Sequence, residues 1–291
     1  MELEDLRPLL QGSLWADAPL AAVGIPDSEE TALAMAVPSE QAEAAWRWWR
    51  DRLPVTQRYP LITVSWMGQA PLGDWIASVL DPFYFQEEYG ADTSPARRLA
   101  EAETYGAEAE AAFLAERAQF ETYDRVRQLT AAVLDCQSRY GRSPTMPPLA
   151  TIIDLERFLL EWEEEQGFQP DVSLDYLSWF DPGDQPTAVV LLPTSQGWQT
   201  LAYLSRWGGS RHAMPLLRKW QEHYGLELVS HYGTMLQGLV ARRPLTVAAA
   251  FAVATEHFAI APCTLQLPGV TVRDHARALL HLDRWFLHER P

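Results

Sequence analysis

Two spacings of hydrophobic residues recur along this chain. Short apolar runs, such as 31–37 and 59–66, predict buried β-strands, whereas apolar residues repeated every three or four positions predict amphipathic helices. A helix over 39–53 lies between those two runs, which together predict a β-α-β unit. Its crossover should be right-handed if the two strands are parallel.

The stretch 187–241 has the clearest order of elements in the chain. An apolar run, TAVVLLP, predicts one buried strand, and a Trp-rich helical region follows it. Two further runs, LELVSHY and MLQGLVA, are joined by Gly233 and Thr234, which predicts a β-hairpin. Beyond it we expect a helix capped by Thr246, a short strand at 263–267, a helix over 271–281 and a closing strand, DRWFLHE.

The middle of the chain is expected to be helical. We expect irregular structure over 67–94, helix over 96–140 with a break at Gly106, a Pro-rich loop, and a helix ending at Gly167. The prediction is an α+β fold, with a mixed β-sheet flanked by helices and a long helical insertion. Its expected parts are an N-terminal β-α-β part of the sheet (1–94), the insertion (95–166) and a C-terminal α+β domain (167–291).

Composition and charge limit the kinds of molecule that are expected to bind this protein. The 291 residues are 47% hydrophobic and include 12 Trp, which excludes wholesale disorder and suits a large core. The formal net charge of −16 disfavours nucleic acid and anionic membranes and favours a basic partner, although solubility alone is a simpler explanation. Residues 206–291 hold ten basic and six acidic residues, so this part should attract the acidic remainder within one fold.

The cellular compartment is inferred from the cysteines and from hydropathy. Cys136 and Cys263 are far apart in sequence, so no disulfide framework is expected and a reducing cytoplasm fits best. The acidic N-terminus does not resemble a signal peptide, and no apolar window is long enough to predict a transmembrane helix.

The polar residues do not form a recognisable catalytic or metal-binding motif. No two histidines have the i, i+4 spacing of a zinc-binding helix face, so we expect no metal and no cofactor. Cys263, with His257 nearby, is a nucleophile candidate, but a position past a helix end would disfavour its thiolate, and Cys136 on a helix is a weaker candidate. Acid runs such as Glu161–Glu165 and the pair Asp181 and Asp184 are interpreted as solvated faces. The seven histidines are His212, His223, His231, His257, His275, His281 and His288.

One turn and one tryptophan are the candidate binding features. The turn Trp207-Gly208-Gly209 precedes Arg211 and His212, so it serves either as a core turn or as the rim of a site for an anionic ligand. Trp48 cannot share the face of Trp46 and Trp49 on one helix, so it either packs in a second layer or contacts a partner protein. The candidate ligand-binding residues are Trp207, Gly208, Gly209, Arg211, His212, Trp220 and His231.

Several segments of the C-terminal part together resemble a known family. They are Leu192-Pro193-Thr194, the Trp207 turn, LRKWQEHYGLELV from Leu217, Arg242-Arg243-Pro244, Glu256-His257-Phe258 and Arg284-Trp285-Phe286. Over about 187–289 the chain resembles the bacterial domain-of-unknown-function 4253 family. The resemblance implies a fold and brings no established activity.

The chain departs from the family pattern at three places. The family continues its turn as Trp-Asn-x-Cys-Pro, where this chain has SRHAMP from Ser210. The family has a Tyr-Cys pair before an Asp, whereas this chain has a different sequence around Cys263. The family closes with Trp-Trp-Asp, whereas this chain has Leu287-His288-Glu289. Any chemistry that needs the family's Asn, Cys or Asp should be weakened or absent here.

These observations predict a soluble cytoplasmic bacterial protein that acts as a non-enzymatic binding or protein-interaction module. One version is an immunity-like protein that neutralises a basic partner. The alternative is an enzyme or small-ligand sensor with a pocket near residues 207–212, Trp220 and His231. A closed cleft with converging titratable groups would favour the alternative.

Overall fold

The computed structural model describes residues 1–119, 125–204 and 210–289. The chain forms two compact units, each built from separated segments. The first, which we call the sheet unit, comprises Met1–Tyr105, Ser178–Arg242 and Arg284–Pro291. The second, the helical unit, comprises Gly106–Leu177 and Arg243–Asp283. The three-part division expected from the sequence stays a prediction.

The sheet unit contains one mixed sheet of seven strands in the order β1-β2-β4-β3-β5-β6-β7. Neighbouring strands are antiparallel except β3 and β5, which are parallel and meet at Ile62 and Ser230. The early strands and the C-terminal strands therefore share one sheet, as predicted. The strands are β1 Leu20–Gly24, β2 Thr31–Val37, β3 Tyr59–Val64, β4 Thr187–Leu192, β5 Leu226–His231, β6 Met235–Val240 and β7 Arg284–His288.

The two central strands explain the apolar runs in the sequence. Every residue of β3 and β4 is buried, because both faces of the middle of the sheet are covered. The β7 strand at the edge instead alternates buried and more exposed residues. Both β2 and β3 pair antiparallel with β4, which lies between them, so the expected β-α-β unit has a third strand inserted.

The tryptophan-bearing helix α2 packs its apolar face onto this sheet. Trp46 and Trp49 are fully buried in the core, and the indole N–H of Trp46 donates to the carbonyl oxygen of Pro60 at 3.0 Å. That bond satisfies the polar atom that a buried Trp otherwise leaves unpaired. The core cluster also includes residues of β2, β3, β4 and β5.

The helices of the described residues follow the predicted order, and the middle of the chain is helical from α5 to α9. Gly106 separates α6 from α7, as expected. The helices are α1 Leu3–Leu10, α2 Ala42–Arg50, α3 Leu53–Thr56, α4 Leu72–Val79, α5 Phe85–Tyr89, α6 Pro95–Thr104, α7 Ala107–Arg117, α8 Arg125–Tyr140, α9 Ile152–Glu165, α10 Ser210–Tyr224, α11 Val247–Ile260, α12 Cys263–Gln266 and α13 Val272–Leu279.

Two local expectations were wrong. Residues 67–94 are not irregular throughout, because α4 forms after Pro71 and buries Trp75 and Ile76. The expected strand at 263–267 is the one-turn helix α12, which starts directly after Pro262, a residue compatible with a helix start. Cys263 therefore lies three residues past the end of α11, as expected, and is also the first residue of α12. The edge strand β1 was not anticipated.

The length and hydropathy of a helix determine whether it could span a membrane. Within residues 1–119, 125–204 and 210–289, no helix has the length and apolar character needed to cross a bilayer.

Candidate functional site

The candidate site lies within the helical unit, where α8, α9 and α13 bring buried charges together. On α9 the side chains of Glu156 and Glu163 are seven residues apart, so they lie on the same helix face as Leu159. Both carboxylates are buried with that leucine. A buried carboxylate needs a partner of opposite charge, and α13 supplies it.

Arg273 on α13 is the centre of this network and is only 1% exposed. Its Nε donates to Glu163 at 3.1 Å, its Nη1 donates to Glu156 at 3.0 Å, and its Nη2 donates to Asp135 of α8 at 2.6 Å. The backbone N–H of Arg273 also donates to Glu156, at 3.2 Å. Every nitrogen of this guanidinium is thus engaged by a carboxylate, which ties three helices together.

Two further arginines extend the network on either side. Arg139 of α8 donates from Nη2 to Asp274 at 2.8 Å and from Nε to Asp135 at 2.8 Å. Arg277, one turn beyond Arg273, donates to Glu163 at 2.6 Å and to Asp274 at 3.2 Å. Each carboxylate therefore bridges two arginines or an arginine and a helix terminus.

The network shifts the pKa values of its members. Burial lowers the pKa of Arg273, but the surrounding carboxylates more than offset burial and raise that pKa above its ordinary value. Burial would raise the pKa of Asp274, yet the hydrogen bonds and charge of Arg139 hold it below the ordinary aspartate value. For Glu156 burial dominates and raises the pKa, with Arg273 acting against that rise. Asp274, Arg139 and Arg273 are consequently charged at neutral pH.

A pair of buried histidines lies in the same unit. The Nδ1 of His257 and the Nε2 of His275 are hydrogen-bonded at 3.0 Å, and the hydroxyl of Tyr176 is 2.7 Å from Nδ1 of His275. Burial lowers the pKa of His275 to about 3 and, together with His275, lowers the pKa of His257 well below its ordinary value. Both imidazoles are therefore neutral near pH 7. The histidines of the sequence thus include two that are hydrogen-bonded in the interior.

A cleft of about 360 Å³ opens beside the arginine network, and we call it the helical-unit cleft. Its size falls within the range of small-molecule sites. One wall comes from α8, a second from α9, and the third from the segment between α11 and α13. Its apolar lining consists of Ala131, Ala132, Ile152, Leu155, Phe258, Leu265, Val270 and Val272.

The polar lining of the helical-unit cleft is balanced in charge. Two carboxylates and two guanidiniums reach it, all four of them members of the network. The side-chain oxygen of Gln128 is buried and accepts no hydrogen bond within the chain as described. The polar lining consists of Gln128, Asp135, Arg139, Glu156, Gln266, Thr271 and Arg273.

The ligand-binding candidates chosen from the sequence lie in the sheet unit, and only some of them are together. Trp207, Gly208 and Gly209 lie outside the described residues. Arg211 and His212 are neighbours at the start of α10, where His212 is hydrogen-bonded to Tyr105 at 2.8 Å. Their proposed role stays a prediction.

Trp220 and His231 are placed apart from that pair. Trp220 lies about two and a half turns further along α10, fully buried against Trp285 with ring centroids 5.7 Å apart. His231 ends β5 and lines a separate pocket of about 100 Å³ with Thr63 and Trp66. The structure thus brings Arg211 and His212 together and leaves the other described candidates at separate positions.

Trp48 is half-buried on α2. The guanidinium of Arg52 lies over its ring at 3.5 Å, and the Trp15 ring is 5.9 Å away. These neighbours cover part of the indole, and a role in an interface stays a prediction.

Sequence reasoning missed the arginine network because it interpreted the acid run of α9 as a solvated face. That interpretation was wrong for Glu163, which is buried, although Glu161 and Glu165 are exposed. The available signal was the seven-residue spacing of Glu156 and Glu163 on the apolar face of α9. The four-residue spacing of Arg273 and Arg277 on another helix was the matching signal.

Comparison with known proteins identifies the C-terminal part of the chain. Residues 188–288 match the family model of a domain of unknown function, DUF4253. We call this matched range, residues 188–288, the DUF4253 domain. The resemblance predicted from the sequence is thereby confirmed for this part, about a third of the chain. Neither a curated protein nor a solved structure matches the chain.

The DUF4253 domain contributes one side of the candidate site. Its matched range includes α11, α12 and α13, and so contains Arg273 and Phe258. The other side of the helical-unit cleft, on α8 and α9, precedes the DUF4253 domain in the sequence. The cleft is therefore built jointly by the DUF4253 domain and the preceding helices.

Proposed function

We propose that this protein is a non-enzymatic binding protein and that its ligand is a small, uncharged, largely apolar molecule held in the helical-unit cleft. The cleft itself carries this proposal, because it combines a volume of about 360 Å³ with apolar walls and a few fixed polar groups. Such a combination is the usual character of a small-molecule site.

The charge of the lining selects the class of ligand. Asp135 and Glu156 oppose Arg139 and Arg273, so the lining presents no net charge to a bound molecule. An anion or a cation would have to leave water without gaining a counter-charge, because these four groups are already paired with one another. A neutral ligand avoids that cost.

The same pairing supports a binding role over a catalytic one. A general base needs a lone pair within reach of the proton that it removes. The carboxylates of Asp135 and Glu156 instead accept hydrogen bonds from arginines at 2.6–3.0 Å. Gln128 offers a polar contact, because its buried side-chain oxygen can accept a hydrogen bond from a ligand hydroxyl or amide.

Ligand-observed NMR with a set of neutral aromatic and aliphatic fragments tests the proposal. The variant Ala131→Trp places an indole in the cleft from the exposed side of α8, so it should abolish fragment signals that the unmodified protein gives. Leu134→Trp is the matched control, since Leu134 is 63% exposed on the same helix and does not line the cleft. Equal binding by both variants would contradict the proposal.

A basic protein partner is the second candidate function, in keeping with an immunity-like role. A recess of about 600 Å³ in the sheet unit is lined by Asp27, Glu29 and Glu30, all exposed. This recess favours the positively charged side chains of a partner. Binding of a lysine-rich peptide should weaken in Glu29→Lys and persist in Glu40→Lys, a control outside the recess, and equal weakening would argue against the recess.

A further inference from the structure

An arginine buried in the sheet unit has unused hydrogen-bond donors. Arg98 of α6 is 2% exposed, and its Nη2 donates to the carbonyl oxygen of Ala202. Its Nε and Nη1 are buried and make no hydrogen bond in the chain as described. Unsatisfied buried donors are rare in folded proteins because each loses its hydrogen bonds to water without replacement, a loss that is larger when the group is charged.

The surroundings of Arg98 keep it charged without satisfying it. The Phe85 ring covers one face of the guanidinium, with its centroid 3.6 Å from Cζ. Burial lowers the pKa of Arg98 to about 10, and the nearby ionisable groups Tyr89, Asp27 and Glu88 oppose that shift. The side chain is therefore still protonated at neutral pH, and two of its nitrogen donors meet no acceptor in the part of the chain that the structure describes.

A second arginine adjoins the same residues. The backbone N–H of Arg211 donates to Oε1 of Glu88 at 2.6 Å, and its Nη2 donates to the carbonyl oxygen of Glu88 at 3.0 Å. The Cζ of Arg211 is 5.0 Å from the Tyr89 ring. The Nε of Arg211 is buried and, like the two nitrogens of Arg98, has no hydrogen-bond partner among the described residues.

The carboxylates near these arginines are already engaged. Glu88 accepts from Arg211, Glu101 pairs with Arg97 at 3.0 Å and with Arg211 at 3.1 Å, and Asp27 accepts from Thr93 at 2.5 Å. None of these bonds reaches the Nε and Nη1 of Arg98. Those donors therefore have no acceptor among residues 1–119, 125–204 and 210–289.

We propose that Arg98 and Arg211 form a binding site for the carboxylate or phosphate group of a small anion. The two guanidiniums share Tyr89 and Glu88 as neighbours, and together they offer three unused nitrogen donors. Guanidinium donors bind these two oxyanions with short, charge-assisted hydrogen bonds. The side chain of Arg211 is 38% exposed, whereas Arg98 is buried, so Arg211 is the member of the pair that meets solvent. This site is separate from the helical-unit cleft and does not depend on it.

Titration of the full chain with inorganic phosphate and, separately, with acetate tests the proposal. The readout is the ¹H–¹⁵N signal of the arginine Nε–H groups, which reports directly on contact with an anion. We expect saturable shifts of the Arg98 and Arg211 signals. Shifts with both anions indicate a site that accepts either oxyanion, whereas shifts with phosphate alone indicate a phosphate site.

Matched variants distinguish specific binding at this site from nonspecific attraction of anions to the protein. Arg211→Lys should weaken phosphate binding about tenfold, since lysine lacks the Nε–H donor, and Arg98→Lys should do at least as much. Arg47→Lys, in an exposed ion pair of α2, should leave the affinity unchanged. If Arg98→Lys does not fold, Arg211→Lys still decides the question. The proposal is overturned if the Arg98 signal is insensitive to both anions, or if Arg47→Lys weakens binding as much as Arg211→Lys.

Discussion

Replacing Glu163 by glutamine examines the arginine network most sharply. The Glu163 carboxylate is fully buried and accepts from Arg273 at 3.1 Å and from Arg277 at 2.6 Å. Glutamine keeps the shape but removes the negative charge and turns an NH₂ donor toward one of two guanidinium donors. The variant thus leaves uncompensated positive charge in the interior of the helical unit.

The expected loss of stability depends on the ion pairs that Arg273 keeps in the variant. Breaking a buried ion pair by removing one partner costs about 3–5 kcal/mol. Arg273 keeps Glu156 and Asp135 in the variant, so we expect the lower end, about 3 kcal/mol. That is a large part of the roughly 5–15 kcal/mol by which natural domains are stable.

Equilibrium urea unfolding of the two proteins measures this difference, and hydrogen exchange of the α13 amides locates it. Glu161→Gln is the matched control, because Glu161 is exposed on the same helix and should change stability by no more than about 0.5 kcal/mol. A loss below about 1 kcal/mol for Glu163→Gln, or equal losses in both variants, would refute the view that this network holds α9 and α13 together.

Three further predictions concern the buried histidines, a helix cap and a glycine. Burial lowers the folded-state pKa of His275 to about 3, so the unfolded chain binds more protons than the folded chain below pH 6.5. The free energy of unfolding should therefore decrease as the pH is lowered from about 6.5 to 3, by up to about 1.4 kcal/mol per pH unit. His275→Gln should flatten that slope in unfolding measured at several pH values. Thr246→Ala removes the hydroxyl that accepts a hydrogen bond from the Ala249 N–H at 3.1 Å, so it should lower the free energy of unfolding in urea by about 1 kcal/mol. An unchanged urea midpoint would argue against a stabilising cap. Gly225→Ala should lower the free energy of unfolding by about 2 kcal/mol or more in the same assay, because φ is +65° and an added Cβ would lie 2.9 Å from the Cβ of Ala241. Unchanged stability would contradict the expected backbone strain and steric clash.

Local patterns predicted elements well where neighbouring residues decide the structure. The caps Thr246 and Thr271 mark the starts of α11 and α13, and the Gly233 turn joins β5 to β6, all within a few residues of sequence. The apolar run of β4 predicted a buried strand because the centre of the sheet is covered on both faces. Errors arose where the signal was short. A single turn at 263–266 and the eight residues of α4 between prolines carry too little periodicity to be distinguished from a strand or a loop.

The candidate site could not be predicted in the same way, because its parts are distant in sequence. Glu156 is buried only because Arg273, more than a hundred residues later, neutralises it. An acidic residue on a helix is ordinarily solvated, and its burial depends on a partner that no local window contains. Arg98 was missed for the same reason, since its neighbours Phe85, Tyr89 and Ala202 come from different parts of the sheet unit.

Crystals of the full chain soaked with a set of neutral fragments give the most direct measurement of the central claim. We expect fragment density in the helical-unit cleft, against Phe258 and Leu155 and within hydrogen-bonding distance of the Gln128 side chain. Neutral fragments that occupy other surfaces and leave this cleft empty would contradict it.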